Sequence, residues 1–277
     1  MLGSKRLPNV PGLEDFKGEV LHTEDYYSGE RWAGKKVLVM GTGTSGHDTA
    51  QDLHGHGASV AMIQRGSTTV VSVEAACFNN SVHYDENISI EDADLLGVAA
   101  TFNLLKRGYQ MNVVRMKEHD KDLIAGLEAR GFKLDWGPDE AGHQMKLRDR
   151  FGGYYLNCGC SDLIVSGEVG LVQWDDAERF VENGLLMKDG RVVEADLLVT
   201  ATGYDSQEAV VTQLLGKQVA NKIGPIWGLD SQGEIRNIFG PTAQEGLWFL
   251  GGGLSQNRVY SRYLALQIKA RELGLVR

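Results

Sequence analysis

Residues 35–46 read KKVLVMGTGTSG. Lys35–Met40 is a short apolar run of the kind that forms a buried parallel strand, and a glycine motif follows it at once. Small and apolar residues then recur at helical spacing as far as Gly57, which is placed to end a helix. Ala58–Gln64 is again apolar. Strand, helix and strand within about 30 residues predict a βαβ unit.

The glycine motif is a complete G-x-G-x-x-G between a predicted strand and a predicted helix. In this pattern Gly41 permits a tight turn, Gly43 lets a pyrophosphate approach the backbone, and Gly46 lets helix and strand pack closely. The N–H groups and dipole of the helix N-terminus suit phosphates. We therefore predict dinucleotide binding, the alternative being a glycine-rich turn that binds nothing. The predicted loop residues are Gly41, Thr42, Gly43, Thr44, Ser45 and Gly46.

The end of the second strand indicates which dinucleotide binds. Sites for NAD place Asp or Glu there to hold the ribose 2′-hydroxyl, but residues 64–68 read QRGST and contain no carboxylate. Arg65 can pair with a 2′-phosphate, and Ser67 and Thr68 can add hydroxyl donors. NADP(H) is therefore favoured over NAD. The alternative for Arg65 is a solvated surface cation.

Residues 16–26 fit F-x-G-x-x-x-H-x-x-x-Y through Phe16, Gly18, His22 and Tyr26. This pattern resembles the fingerprint of the flavin-containing monooxygenases, whose Baeyer–Villiger relatives usually have Trp at the last position. In that family the segment lies just before the NADPH-binding glycine motif, as it does here. The resemblance implies that it serves the hinge between an FAD domain and an NADPH domain.

Two later segments agree with this resemblance. Residues 200–204, TATGY, are similar to the family element where the chain returns to the FAD domain, which implies a cofactor-binding role for Thr202 and Gly203. Residues 251–258, GGGLSQNR, resemble a stretch that passes near the flavin, which implies FAD contacts for Gly252 and Gly253. The alternative for these two glycines is a flexible turn between a strand and a helix.

The whole pattern predicts an α/β fold with a Rossmann-like, doubly wound NADP-binding domain. This domain would carry a helical insertion at 72–150 and a β-meander within 152–195, and a partial FAD-domain segment would follow. The expected divisions are a lead-in at 1–33, the NADP-binding domain at 34–204 and the FAD remnant at 205–277. We also predict strands at Ala195–Thr200 and Leu247–Gly251, and an amphipathic helix from Val259 with an apolar stripe that includes Tyr263, Leu266 and Leu273.

The resemblance implies an oxidoreductase that uses NADPH to reduce FAD for oxygenation of a small nitrogen-, sulfur- or carbonyl-containing substrate. Full-length members begin with a further G-x-G-x-x-G that holds FAD, and many have Asn where Thr44 stands. We expect the N-terminal half of the FAD domain to be missing, FAD to bind weakly, and the uncovered surfaces to drive self-association. The alternative is a stand-alone NADP-binding module, or a truncated homologue with a flavin-independent activity.

The composition indicates which partners, compartment and metal sites to expect. The net charge of -9 disfavours nucleic-acid partners, and no apolar run is long enough to cross a membrane. Only Cys77, Cys158 and Cys160 are present, without the spacing of a zinc site, so we expect reduced thiols, a cytoplasmic protein and no metal. Seven histidines are scattered, and no catalytic residue is assigned.

Overall fold

A parallel sheet of five strands organises the chain, and the computed structural model describes residues 3–276. The strands of this sheet are β1 (Glu19–His22), β2 (Lys36–Met40), β3 (Ser59–Gln64), β6 (Gly170–Gln173) and β10 (Leu197–Thr200). They lie in the order β1-β10-β2-β3-β6, and every neighbouring pair is parallel. The βαβ unit predicted from the sequence is therefore confirmed, since the glycine motif lies between β2 and helix α1 (Thr44–Gly55).

The two faces of the sheet are covered differently. Val37 and Val39 of β2 face a core shared with α1, α5 (Lys121–Ala129) and α7 (Cys160–Ser166). The alternate residues Leu38 and Met40 face an antiparallel meander of β7 (Ala177–Val181), β8 (Gly184–Met187) and β9 (Val192–Glu194). The predicted α/β class and meander are thus confirmed, with helices on one face and the meander on the other.

The predicted insertion is largely helical. It contains α2 (Val73–Ala76), α3 (Ile90–Ala99), α4 (Phe102–His119), α5 and α6 (Gly142–Arg150), between the paired strands β4 (Thr69–Ser72) and β5 (Tyr154–Asn157). The Ser89 hydroxyl accepts the Asp92 N–H at 3.1 Å and caps the N-terminus of α3. Helices α3 and α4 are separate, because the chain leaves helical geometry between Ala99 and Phe102.

Residues 1–33 do more than lead into the domain. Strand β1 pairs with β10 at the edge of the sheet, and Phe16 and Trp32 are buried. Met1 and Leu2 lie outside the described residues. The expected lead-in therefore contributes an edge strand and two core side chains.

Two predictions for the C-terminal part are wrong. Residues Leu247–Gly251 form no strand, since within the described part of the chain the segment shows only one isolated bridge, between Pro241 and Trp248. The side chains of Leu247 and Phe249 instead pack into a small cluster beside α8 (Gln207–Leu215) and α9 (Lys217–Ile223).

The closing helix begins five residues earlier than expected, as α10 (Leu254–Glu272). Its predicted apolar stripe is not core, since Tyr263, Leu266 and Leu273 are each more than half exposed and Leu264 is buried instead. Among the helices described between residues 3 and 276, none combines the length and apolar character that a bilayer span requires.

Candidate nucleotide-binding cleft

The cleft opens where the carboxyl ends of β2 and β10 lie side by side. From β2 the chain passes through the glycine loop and α1 to β3 on one side, whereas β10 is the neighbour of β2 on the other side. Such a reversal of strand order is the place where open α/β sheets bind ligands. A cleft of about 1080 Å³ lies there, lined by residues 41–46, 65–68, 149–154 and 201–208 among others.

The three glycines of the loop meet different surroundings. Gly41 has φ +120°, and a Cβ built on it would lie 2.5 Å from the Ala201 carbonyl oxygen. A Cβ on Gly46 would lie 2.1 Å from the Gly41 carbonyl oxygen. A Cβ on Gly43 would have nothing within 4 Å. Gly41 and Gly46 are therefore required by the packing of the loop, whereas the backbone at Gly43 stays open to the cleft.

The N-terminus of α1 points its free donors at this opening. Gly43 is the N-cap residue, no side chain caps the helix, and the first turn contains no acidic residue. The first N–H groups of a helix have no intrahelical acceptor, and their dipole favours anions. The Thr44 hydroxyl is occupied, since it donates to the Tyr154 carbonyl oxygen at 3.2 Å. An anion in the cleft would thus meet backbone N–H groups.

The polar residues of the segment after β3 differ in their exposure to the cleft. Arg65 and Ser67 are exposed at the cleft, and within residues 3–276 Arg65 makes no hydrogen bond or ion pair. Thr68 is buried, and its hydroxyl lies 2.8 Å from that of Thr42. The geometry thus leaves Arg65 and Ser67 open to a ligand, whereas the Thr68 and Thr42 hydroxyls hold the loop together.

The segment after β10 forms the opposite wall. Thr202 and Gly203 line the cleft, and Gly203 has φ +78°. The Thr202 hydroxyl donates to the Arg6 carbonyl oxygen at 2.5 Å, and the Arg6 N–H donates to the Gly203 carbonyl oxygen at 2.9 Å. This wall is therefore fixed by residues from the beginning of the described chain.

His22 and Gly18 tie β1 to β10. The His22 Nε2–H donates to the Gly203 carbonyl oxygen at 3.0 Å, and Nδ1 accepts the Glu24 N–H at 3.1 Å. The His22 ring also meets the Tyr204 ring edge to face, with centroids 5.3 Å apart. A Cβ on Gly18 would lie 2.6 Å from the Asp196 carbonyl oxygen, just before β10. His22 therefore holds the cleft wall rather than facing the cleft.

Tyr26 and Phe16 anchor the same segment at its two ends. The Tyr26 hydroxyl donates to Asp52 on α1 at 2.5 Å, and burial together with this carboxylate raises the pKa of Tyr26. Phe16 packs on Phe180 of the meander with ring centroids 5.9 Å apart. The four residues of the sequence pattern thus connect β1 to β10, to the meander and to the helix of the glycine loop.

Gly252 and Gly253 lie outside the cleft and are not brought together with the glycine loop. Gly253 is the N-cap of α10, its N–H donates to the Gln256 side-chain oxygen at 3.1 Å, and the Asn257 amide donates to both glycine carbonyls. The expected flavin-contacting stretch therefore forms a helix start here, in keeping with the alternative of a strand-to-helix turn except that no strand precedes it.

Residues that the sequence did not single out complete the cleft. Arg150, Phe151 and Trp227 line it, and the Phe151 and Trp227 rings meet edge to face at 4.8 Å. Beneath the glycine loop, His47 is fully buried, stacks on Tyr155 at 3.9 Å and donates from Nδ1 to the Gly43 carbonyl oxygen at 3.0 Å. Burial lowers the pKa of His47 to about 4, so a neutral imidazole supports the loop. No local sequence signal marks these residues, which converge from separate segments.

Residues 3–276 bring together no group of three His, Cys, Asp or Glu side chains that could hold a metal ion. The cleft walls instead present arginines and backbone N–H groups around an open glycine, which is the chemistry of a phosphate-bearing cofactor.

Sequence comparison agrees with this arrangement, since the model of the flavin-binding monooxygenase-like family matches residues 4–225. The chain belongs to this family. The resemblance of the motifs around Phe16–Tyr26 and residues 200–204 to flavin-containing monooxygenases is thereby confirmed, and the matched residues include both.

Two of the curated relatives are plant proteins. The chain is similar to the probable indole-3-pyruvate monooxygenases YUCCA7 and YUCCA3 of Arabidopsis thaliana, with 31% and 33% identity over 207 residues. Each alignment covers 73% of this chain, but 42% of YUCCA7 and 41% of YUCCA3. The chain thus spans less than half the length of these relatives.

Solved structures support the fold of a flavin-binding monooxygenase. A cyclohexanone monooxygenase variant from Rhodococcus sp. Phi1 bound to NADP+ aligns with a TM-score of 0.52 and 19% identity. The alignment covers 76% of this chain and 47% of that one. At this identity the likeness concerns the fold alone.

Proposed function

We propose that this chain binds NADP(H) in the cleft at Gly41–Gly46 and serves the nicotinamide side of a flavin-dependent monooxygenase. The observation that carries the proposal is the uncapped N-terminus of α1 behind the open backbone of Gly43, at the point where the strand order reverses. A pyrophosphate there would accept hydrogen bonds from backbone N–H groups that otherwise have only water as a partner.

The proposed preference for NADPH over NADH rests on Arg65 and Ser67. Both are exposed on the cleft wall next to the glycine loop, and the segment 64–68 contains no carboxylate to hold a ribose 2′-hydroxyl. A guanidinium offers a planar pair of donors that fits a phosphate. We assign Arg65 to the 2′-phosphate and Ser67 to a supporting hydrogen bond.

When bound, FAD would accept hydride from NADPH and would supply the chemistry that transfers one oxygen atom of O2 to a small substrate and releases the other as water. We assign to this chain the binding and orientation of the nucleotide. Gly252 and Gly253 lie outside the nucleotide cleft, and their contact with FAD stays a proposal from the family resemblance. Among nitrogen-, sulfur- and carbonyl-containing substrates, we favour a carbonyl compound, because the relatives at 31% and 33% identity are named for indole-3-pyruvate, a keto acid.

Calorimetric titration of the 277-residue chain with NADPH and NADH tests the binding proposal. Arg65→Ala should weaken NADPH binding roughly ten- to hundredfold, as loss of a charged hydrogen bond does, and leave NADH nearly unchanged. The matched control is Arg107→Ala, which removes an exposed arginine of α4 away from the cleft and should change neither affinity. Equal weakening of both nucleotides by Arg65→Ala would overturn the assignment.

The same preparation separates the monooxygenase from a nucleotide-binding module that works without flavin. NADPH oxidation that depends on added FAD and on O2 supports the monooxygenase. Tight NADPH binding with no oxidation under any flavin concentration supports the module, for which the described cleft would suffice.

A further inference from the structure

A buried lysine lies behind the wall of the cleft. Lys146 of α6 is 1% exposed, and its ammonium donates to the Asp135 carboxylate at 2.5 Å and to the Gly153 carbonyl oxygen at 2.8 Å. The Gly153 oxygen also accepts the Thr69 N–H at 3.1 Å. Burying an ammonium is costly unless it is paired and hydrogen-bonded, so this site is built around the pair.

Asp135 connects that lysine to the segment that carries Arg65. Its carboxylate accepts the Thr69 hydroxyl at 3.1 Å and the Gly137 N–H at 2.7 Å. Its backbone N–H donates to the Thr68 carbonyl oxygen at 3.3 Å. Residues 68 and 69 follow directly on Arg65–Ser67, so Asp135 fixes the position of the loop that faces the cleft.

The Asp135 carboxylate stays ionised in this setting. Burial would raise its pKa, but the hydrogen bonds from the Lys146 ammonium and the Gly137 N–H hold the pKa below its usual range. Ser67, to which we assigned a contact with the 2′-phosphate, lies two positions before Thr69, whose hydroxyl donates to this carboxylate.

A carboxylate at this place would repel a phosphate unless a cation balanced it. At an effective dielectric constant of about 20, like charges some 8 Å apart already change binding by more than tenfold. Lys146 is the cation in direct contact with Asp135, and its side chain is buried, whereas the Asp135 side chain is 27% exposed.

We infer that Lys146 and Asp135 are positioning residues for nucleotide discrimination: Asp135 holds the Arg65–Ser67 loop, and Lys146 neutralises Asp135 so that this loop accepts a 2′-phosphate. The inference rests on the proposed function, because it concerns the preference for NADPH at the same cleft. Neither residue lines the cleft, and of the two Lys146 is the buried one.

The experiment compares the Kd of NADH divided by the Kd of NADPH in four proteins: the wild type, Lys146→Met, Asp135→Asn and the double variant. Lys146→Met leaves an unbalanced carboxylate and should lower the ratio about tenfold. Asp135→Asn keeps acceptors for Thr69 and Gly137 but leaves an unbalanced cation, so the ratio should hold or rise. The double variant is neutral at both positions and should return the ratio to within about threefold of wild type.

If Lys146 and Asp135 had only a structural role, the substitutions would weaken the binding of both nucleotides equally. The ratio would then be constant in all variants, which would overturn the inference. Circular dichroism during heating identifies the folded variants. If Lys146→Met does not fold, a ratio that falls in Asp135→Asn overturns the inference and one that holds or rises supports it. A wild type that does not prefer NADPH would contradict the proposed function itself, whereas a preference that all variants retain contradicts only the role of the pair.

Discussion

The same substitution at two glycines of the loop should have opposite effects. In Gly46→Ala the new methyl group would lie 2.1 Å from the Gly41 carbonyl oxygen, far inside an ordinary contact, so strand and helix must move apart. Overpacking against backbone costs about 3 kcal/mol, and alanine returns about 1 kcal/mol through its helix propensity. We expect the free energy of unfolding to fall by about 2 kcal/mol.

In Gly43→Ala the new methyl group meets no atom within 4 Å, and the backbone has φ -85°, which any residue adopts. The stability should change by less than about 1 kcal/mol. The methyl group occupies the place where the pyrophosphate must approach, however, so the Kd for NADPH should rise roughly ten- to hundredfold.

Urea unfolding followed by circular dichroism gives the stabilities, and fluorescence titration of NADPH gives the affinities. The two variants are each other's control, since both add one methyl group to the same loop. A Gly43→Ala protein that binds NADPH like the wild type, or a Gly46→Ala protein of unchanged stability, would refute the description of the loop.

Three further results are expected. Burial lowers the pKa of both His47 and His143 from 6.5 to about 4, so the unfolded chain binds more protons between these values and stability should fall as the pH drops below about 6.5. Each histidine should cost about 2 kcal/mol of unfolding free energy between pH 7 and pH 5, and a flat urea midpoint over that range would contradict this. Tyr26→Phe removes the hydrogen bond to Asp52 and should lower the stability by about 1 kcal/mol while leaving the NADPH affinity unchanged, a pairing that calorimetry and urea unfolding check together. NADPH should bind equally well with and without added FAD, because the proposed contacts all come from the described cleft; titrations that saturate only with FAD would argue against it.

The local pattern around the glycine motif was sufficient to predict β2, α1 and β3, because the two apolar runs, the glycines and the helical spacing between them are signals carried by neighbouring residues. The short strand β1 was missed for the opposite reason. Its four residues show one buried side chain, and the strand forms only because Leu197–Thr200, far along the chain, offers parallel partners. Pairing over such a sequence distance leaves no periodic signal.

Two predictions from apolar residues in the C-terminal part were wrong, because apolar side chains can pack without forming a strand and an apolar helix face can stay exposed. Residues Leu247–Gly251 are apolar enough for a strand, but Leu247 and Phe249 pack, partly buried, against the cluster of Val211 and Ile223, and no strand of the described chain pairs with them. In α10 the stripe with Leu266 has helical spacing, yet the described chain provides no element to cover it. Spacing predicts that a face exists, whereas burial depends on what lies against it.

The candidate site was predictable where a motif implies a backbone requirement, as at Gly41 and Gly46. Its supporting residues were not. Lys146 lies in the polar helix GHQMKLRDR, which resembles a solvated surface helix, and only the folded chain shows that its ammonium is sealed against Asp135. Thr68 was expected to face a phosphate, but its hydroxyl points inward to that of Thr42. The sequence alone does not show on which side of the chain a residue just after a strand will point.

Hydrogen–deuterium exchange with and without NADPH tests most directly whether the nucleotide lies on the glycine loop. The N–H groups of Thr44, Ser45 and Gly46 have no intrahelical acceptor and should exchange slowly only when phosphate oxygens accept them. We predict that saturating NADPH slows exchange in peptides covering residues 41–47 and 65–68 and leaves Leu254–Glu272 unchanged. Protection at Gly252, Gly253 and the start of α10, with none at residues 41–47, would contradict the account.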